Sequence, residues 1–249
     1  MRPIQKRWQG TAVSMQGSKH VISCVPCQDA STLIANRSCC ALFVADGAGS
    51  APNSQYASQA AIEMAKGYFL GHITARRPRE ESTWRSLLYA CAEKAREAIF
   101  NLVSEERLLQ TLRTTFLLMV IDANGAVAVH IGDGAGLVID QENAFTLLAP
   151  PENGEYINQT YFLTDSDWEE HLHMTYQPGQ FQYGLACSDG LQFIALHRGL
   201  PFPGFANGIV TQLRDVQSKK RHMALSQYLG QHIIGKRTDD DVSLVVAWR

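Results

Sequence analysis

The chain has 249 residues, of which 45% are hydrophobic and 18% charged, with 22 basic side chains against 24 acidic ones and a formal net charge of -2. A chain of this size buries enough surface to hold a core without disulfides or a structural metal, and its composition argues against disorder and against a coiled coil. The balanced charge argues against a general electrostatic grip on nucleic acid or on an anionic membrane. The opening Met-Arg-Pro-Ile-Gln-Lys-Arg-Trp is basic but no apolar run follows it, so it does not read as a signal peptide. No stretch of apolar residues is long enough for a membrane-spanning helix. Cysteines stand at 24, 27, 39, 40, 91 and 187 and are expected to be reduced thiols of a cytoplasmic protein.

In chain order, the first apolar run, residues 41–45, predicts a strand. Residues 55–70 predict a helix, alanine-rich and with Tyr56, Ala60, Met64 and Tyr68 spaced by four. A polar connector at 74–82 leads to a second helix over 82–109, with Trp84, Leu87, Leu88, Cys91, Ala95, Ala98 and Ile99 on one face. Strands are expected at 115–121 and 126–131, and the Asn124-Gly125 pair between them is a hairpin signal. Further strands are expected at 137–139, 161–163, 185–187 and 242–248. A less regular helical region covers 207–229. Loose segments at 149–158 and 200–207 lack the length of a hinge, so residues 1–249 read as one domain. Strands joined mostly by turns, with helices gathered in blocks, predict an α+β fold of antiparallel sheets with helices layered outside.

The chemistry lies at the strand ends. Leu-Phe-Val-Ala runs into Asp46-Gly47, Val-His-Ile-Gly into Asp133-Gly134, and Leu-Ala-Cys-Ser into Asp189-Gly190. Asp239-Asp240-Asp241 leads into the last strand. One Asp-Gly pair is an ordinary turn. Several at the ends of apolar strands converge if those strands share a sheet edge. Clustered carboxylates repel one another, and hard divalent cations such as Mg²⁺ or Mn²⁺ relieve that repulsion with oxygen ligands. From the spacing alone, a metal site and a set of turns both stand.

The ordered set Cys27-Gln28-Asp29-Ala30, Val44-Ala45-Asp46-Gly47-Ala48-Gly49-Ser50, Ile131-Gly132-Asp133-Gly134, Leu185-Ala186-Cys187-Ser188-Asp189-Gly190 and Asp240-Asp241-Val242-Ser243 resembles the protein phosphatase 2C family, the metal-dependent Ser/Thr phosphatases. Thr114-Thr115 before a strand resembles a further family element. The resemblance implies a four-layer α/β/β/α sandwich of two antiparallel sheets flanked by helices. It implies two Mn²⁺ or Mg²⁺ ions at one end, with Asp46 bridging them, the Gly47 carbonyl on the second, and Asp189 and Asp240 completing the first. Asp29 is implied to hold a coordinated water, and Asp133 to bind a third, weaker metal. The implied activity is hydrolysis of phosphoserine and phosphothreonine in proteins by a water activated between two metals. No cysteine carries an arginine at the Cys-x5-Arg spacing of a cysteine-dependent phosphatase. The implied partners are phosphorylated proteins, a cognate Ser/Thr kinase and, from the Cys-Gln-Asp-Ala form of the first motif, a von Willebrand A-type protein.

The chain departs from the family pattern in places. Cys24 stands where an arginine usually grips phosphate, and His20 or Lys19 is the expected substitute. Ala48 replaces a histidine common in eukaryotic members, Gln28 a glutamate, and Gly134 a serine. Two other readings remain open on the residues themselves. One is a catalytically inactive phosphoprotein-binding or regulatory module. The other is a zinc knuckle from Cys24, Cys27, Cys39 and Cys40, opposed by the adjacency of the last two. Asp165–Glu170 reads as a solvated turn, a helix cap or a flap, Lys219-Lys220-Arg221 as a solvated face or a docking patch, and Asp239 or Asp241 as an alternative to Asp240.

Overall fold

The computed structural model describes residues 7–75, 78, 80–152 and 160–249. Two five-stranded antiparallel sheets are stacked face to face. One has the order β1 (Gln9–Met15), β12 (Val242–Trp248), β9 (Phe181–Cys187), β6 (Ala135–Asp140), β7 (Phe145–Ala149). The other has the order β2 (Ala30–Ala35), β3 (Cys40–Ala45), β4 (Phe116–Ile121), β5 (Gly125–Ile131), β8 (His173–Pro178). The long helices α2 (Ser54–Ala75) and α3 (Glu81–Phe100) cover the β2–β8 sheet. The shorter α4 (Gln192–Ala195), α5 (Pro203–Arg214) and α6 (Arg221–His232) cover the other sheet. A single short helix, α1 (Ser18–Ser23), follows β1. A two-residue hairpin, β10 (Leu196–His197) with β11 (Leu200–Pro201), links α4 to α5.

The central strands are apolar throughout because both their faces are covered. In β3, Ala41, Phe43 and Ala45 face the long helices, while Cys40, Leu42 and Val44 fill the space between the sheets. In β12, Val242, Leu244, Val246 and Trp248 face α5 and α6, while Val245 and Ala247 point between the sheets. The four expected layers are therefore present, each apolar strand side having its own partner.

Three expected elements differ. The second helix ends at Phe100, and a 3₁₀ turn over Glu106–Thr111 replaces its last part. The third helical region is divided at Asp215–Gln217, where the chain leaves helical conformation. Residues 161–163 form no strand: Leu163 donates its N–H to the Thr114 carbonyl, then the chain turns. That turn is solvated at Ser166, Asp167, Glu169 and Glu170, and it is anchored by Trp168, which is buried against Tyr89 and Arg96 of α3. Cys39 and Cys40 point into different cores, so the four-cysteine arrangement does not converge.

Candidate metal centre

Five segments meet at one end of the sandwich. Asp46 follows β3, Asp133 lies on the crossover from β5 to β6, and Asp189 follows β9. Asp240 and Asp241 precede β12, and Asp29 precedes β2. Antiparallel register brings them together. Ala30 pairs with Ala45, which sets Asp29 beside Asp46. Ala135 and Leu244 both pair with Cys187, which draws Asp133 and the Asp240–Asp241 pair towards Asp189. Carboxylate oxygens of Asp46, Asp133 and Asp189 lie within 4.8 Å of one another. Asp240 is exposed at the rim of this cluster.

Glycines permit this convergence. A Cβ on Gly47 would stand 2.6 Å from the Gln28 carbonyl oxygen and 2.9 Å from Ser54. One on Gly190 would stand 2.1 Å from the Asp241 carbonyl oxygen. Only glycine admits backbones at this separation. The main chain of Asp46 is fixed from the two residues that precede β4. Its N–H donates to Thr115 Oγ1 at 3.0 Å, and its carbonyl accepts from Thr114 Oγ1 at 2.9 Å and from the Thr115 N–H at 2.8 Å.

The electrostatics are those of uncompensated negative charge. Burial, and then the charges of Asp29 and Asp189, push the Asp46 carboxyl well above the usual carboxylate range. Burial raises Asp29 to about 7, with help from Asp241 and Asp189 and against a 2.7 Å hydrogen bond donated by Ser188 Oγ. Asp133 rises to about 6 through burial and the charge of Asp189. Asp240, exposed at the rim but partly shielded by the surrounding protein, is raised by that partial desolvation and by the charge of Asp189. Oδ1 of Asp29 and Oε1 of Gln28 are buried acceptors that find no donor among the described residues. All-oxygen donors, raised carboxyls and orphaned acceptors fit hard divalent cations.

Asp241 has a different environment. It is 4% exposed and accepts the Gly17 N–H at 2.7 Å and the Gln28 N–H at 2.6 Å. His20 is buried, with Nδ1 2.9 Å from Asp241 Oδ1. The imidazole expected to meet a phosphate is thus turned inward, because α1 lays its first turn on the segment before β12. Lys19 is exposed, and its N–H donates to the Asp239 carbonyl. Asp240 Oδ1 accepts the Asp241 N–H at 2.9 Å. Sequence reasoning left the choice among three consecutive aspartates open and missed the support given by Asp241 and Ser188. The only signal for Asp241 was its place directly before an apolar strand.

A cleft of about 590 Å³ opens beside the cluster, lined in part by Ser50, Pro52, Arg113, Thr164 and Asp165. It adjoins the centre because the Ala48 N–H donates to the Arg113 carbonyl. The Arg113 guanidinium lies over the Phe162 ring and donates to Asp165 at 2.6 Å.

Fold and site together define a class: a sheet-on-sheet sandwich with a carboxylate centre for hard cations at its end. The protein phosphatase 2C profile matches residues 16–230, so the chain belongs to that family, the metal-dependent Ser/Thr phosphoprotein phosphatases. It is 29% identical over 259 aligned positions to serine/threonine-protein phosphatase 3 of Escherichia coli K12, covering 96% of this chain and 98% of that one. Its fold is similar to the catalytic domain of the serine/threonine protein phosphatase PstP in complex with two manganese ions, with a TM-score of 0.64, 20% identity, and 97% and 98% of the two chains covered. It is also similar to the serine/threonine phosphatase Stp1 from Staphylococcus aureus, with a TM-score of 0.67, 14% identity, and 100% and 98% covered. No helix among the described residues is long and apolar enough to cross a membrane.

Proposed function

We propose that residues 1–249 form one phosphatase domain that hydrolyses phosphoserine and phosphothreonine in proteins with Mn²⁺ or Mg²⁺ held by Asp46, the Gly47 carbonyl, Asp189 and Asp240. Asp133 is the ligand for a third, weaker ion. The observation that carries this reading is the convergence of Asp46, Asp133 and Asp189 within 4.8 Å at the sheet ends of a family fold. When bound, a pair of such cations supplies Lewis acidity toward a phosphoryl oxygen and lowers the pKa of a water for attack on phosphorus.

The chain's own residues prepare this site. Thr114 and Thr115 hold the Asp46 backbone in place, and Gly47 admits the close approach of the Gln28 carbonyl and Ser54 that a side chain would block. Asp29, oriented by Ser188, offers Oδ1 as an acceptor for a water proton. Lys19 is the exposed cation of the first-motif loop and takes the phosphate-facing role, while His20 positions that loop through Asp241.

The proposed setting is the cytoplasm, with phosphorylated proteins as substrates and a cognate Ser/Thr kinase and a von Willebrand A-type protein as partners. A pull-down from native cells that recovers neither would remove the last two. The direct test of the activity is phosphate release from a phosphothreonine peptide with and without Mn²⁺. Turnover that requires Mn²⁺ is expected. A folded, Mn²⁺-loaded protein without turnover would instead favour a phosphoprotein-binding module.

A further inference from the structure

The two helical layers differ in charge. Seven of the chain's 22 basic residues fall between Gly190 and Thr238, but only one of its 24 acidic residues, Asp215. Arg221 is buried on Trp248, and the other six are exposed. Among the described residues, no acidic side chain pairs with Arg198, Lys236 or Arg237. The same layer exposes apolar side chains. Phe193 is 88% exposed, Leu200 69% and Phe202 49%. They are neighbours in space, because Phe193 is on α4, Leu200 is on the β10–β11 hairpin, and the Phe202 N–H donates to the Ala195 carbonyl.

A groove of about 370 Å³ runs beside them between α4, α5 and α6. Its floor and walls include Ile194, Phe202, Phe205 and Tyr228, with His232 and Arg237 among its lining side chains. Both ends of this layer are tied to the metal centre. Asp189 stands four residues before Phe193, and Arg237 three before Asp240. A concave aromatic groove takes a single side-chain knob, which a flat lipid surface does not offer. Arg237 in the groove lining, with no carboxylate partner among the described residues, selects a carboxylate.

We propose that the α4–α6 layer is a docking face for an acidic segment of the phosphoprotein substrate, with one apolar side chain seated in the groove between carboxylates. This rests on the phosphatase reading of the metal centre for the identity of the partner as substrate. Docking there holds the substrate chain next to the cations while the phosphorylated residue enters the centre.

The test uses two peptides. The first is a fluorescent, unphosphorylated Glu/Asp arm with a central Leu-Phe. The second is a phosphothreonine peptide with or without the same arm on a Gly-Ser linker. Saturable anisotropy binding of the arm is expected, weakened about tenfold by Phe193→Ala with Arg237→Glu. It should weaken further with added salt and be absent for a Lys-substituted arm. In kinetics, the arm should lower KM about fivefold with kcat unchanged. The double variant should lose that gain while turning over p-nitrophenyl phosphate as the wild type does. Arm binding without any turnover would leave the docking face standing and remove the phosphatase reading. Turnover indifferent to the arm would overturn the docking face. So would equal binding of single-stranded DNA, or of phosphatidylglycerol vesicles, with the same dependence on Phe193.

Discussion

Asp46 and Asp241 are aspartates at the same end of the same sandwich, and their surroundings differ sharply. Asp241 has its oxygens met by two backbone N–H groups and an imidazole nitrogen. Asp46 faces Asp29, Asp133 and Asp189, and burial with their charges pushes its carboxyl upward. A buried carboxylate surrounded by donors fastens the chain to itself. One surrounded by other carboxylates stores repulsion that a cation relieves. The difference separates structure from function within six carboxylates that look alike in sequence.

Substitutions should sharpen this contrast. The largest effect is expected for Asp46→Asn, which should lower phosphatase kcat by about a thousandfold or more while leaving the metal-free protein at least as stable as before, since one repelling carboxylate is removed. Chemical denaturation alongside phosphate release checks both halves. Asp241→Ala should do the reverse, costing about 3 kcal/mol of folding stability with or without Mn²⁺, because it orphans the Gly17 and Gln28 N–H groups. Equal stability of the two variants would break the comparison.

A smaller effect concerns pH. Raised folded-state values mean that Asp29 and Asp46 bind protons in the folded protein that they release when unfolded. Their contribution to stability is therefore present at low pH and lost as pH rises through the folded value. Buried His130, lowered to about 4, acts in the opposite sense but only below its ordinary value of 6.5. Between about pH 6.5 and about pH 8 the metal-free protein should thus lose on the order of 1 kcal/mol, and Mn²⁺ should abolish that slope. Thermal melts across this range, with and without Mn²⁺, provide the check. The smallest effect is expected for Lys19→Ala, a rise in KM of about threefold for a phosphothreonine peptide with kcat held, since one exposed cation contributes little.

Much of this was readable in the chain. The Asp-Gly pairs at the ends of apolar runs marked the centre only as an ordered set: each alone reads as a turn, and it was their order along the chain, shared with a known family, that favoured a metal site. β12 was legible end to end, being apolar on both faces. β1, β2 and β8 were not, because their faces are only partly buried and their residues are mixed. β8 at the sheet edge, with two histidines nearby and a terminal proline, carries little strand signal. α1 was missed because it has no apolar stripe: Val21 and Ile22 are exposed and His20 is the residue it buries. The inward turn of His20 depends on register between β12 and the first-motif loop, a contact over 221 residues of sequence that no local pattern encodes.

The central claim is that the repelling carboxylates, and not their saturated neighbour, hold divalent cations. Calorimetric titration of Mn²⁺ into the wild type and Asp46→Asn at about pH 7.5 tests it most directly. The account predicts that the wild type binds Mn²⁺ with release of protons from the raised carboxyls, and that the variant loses both the binding and the proton release. Undiminished Mn²⁺ binding by Asp46→Asn would contradict it.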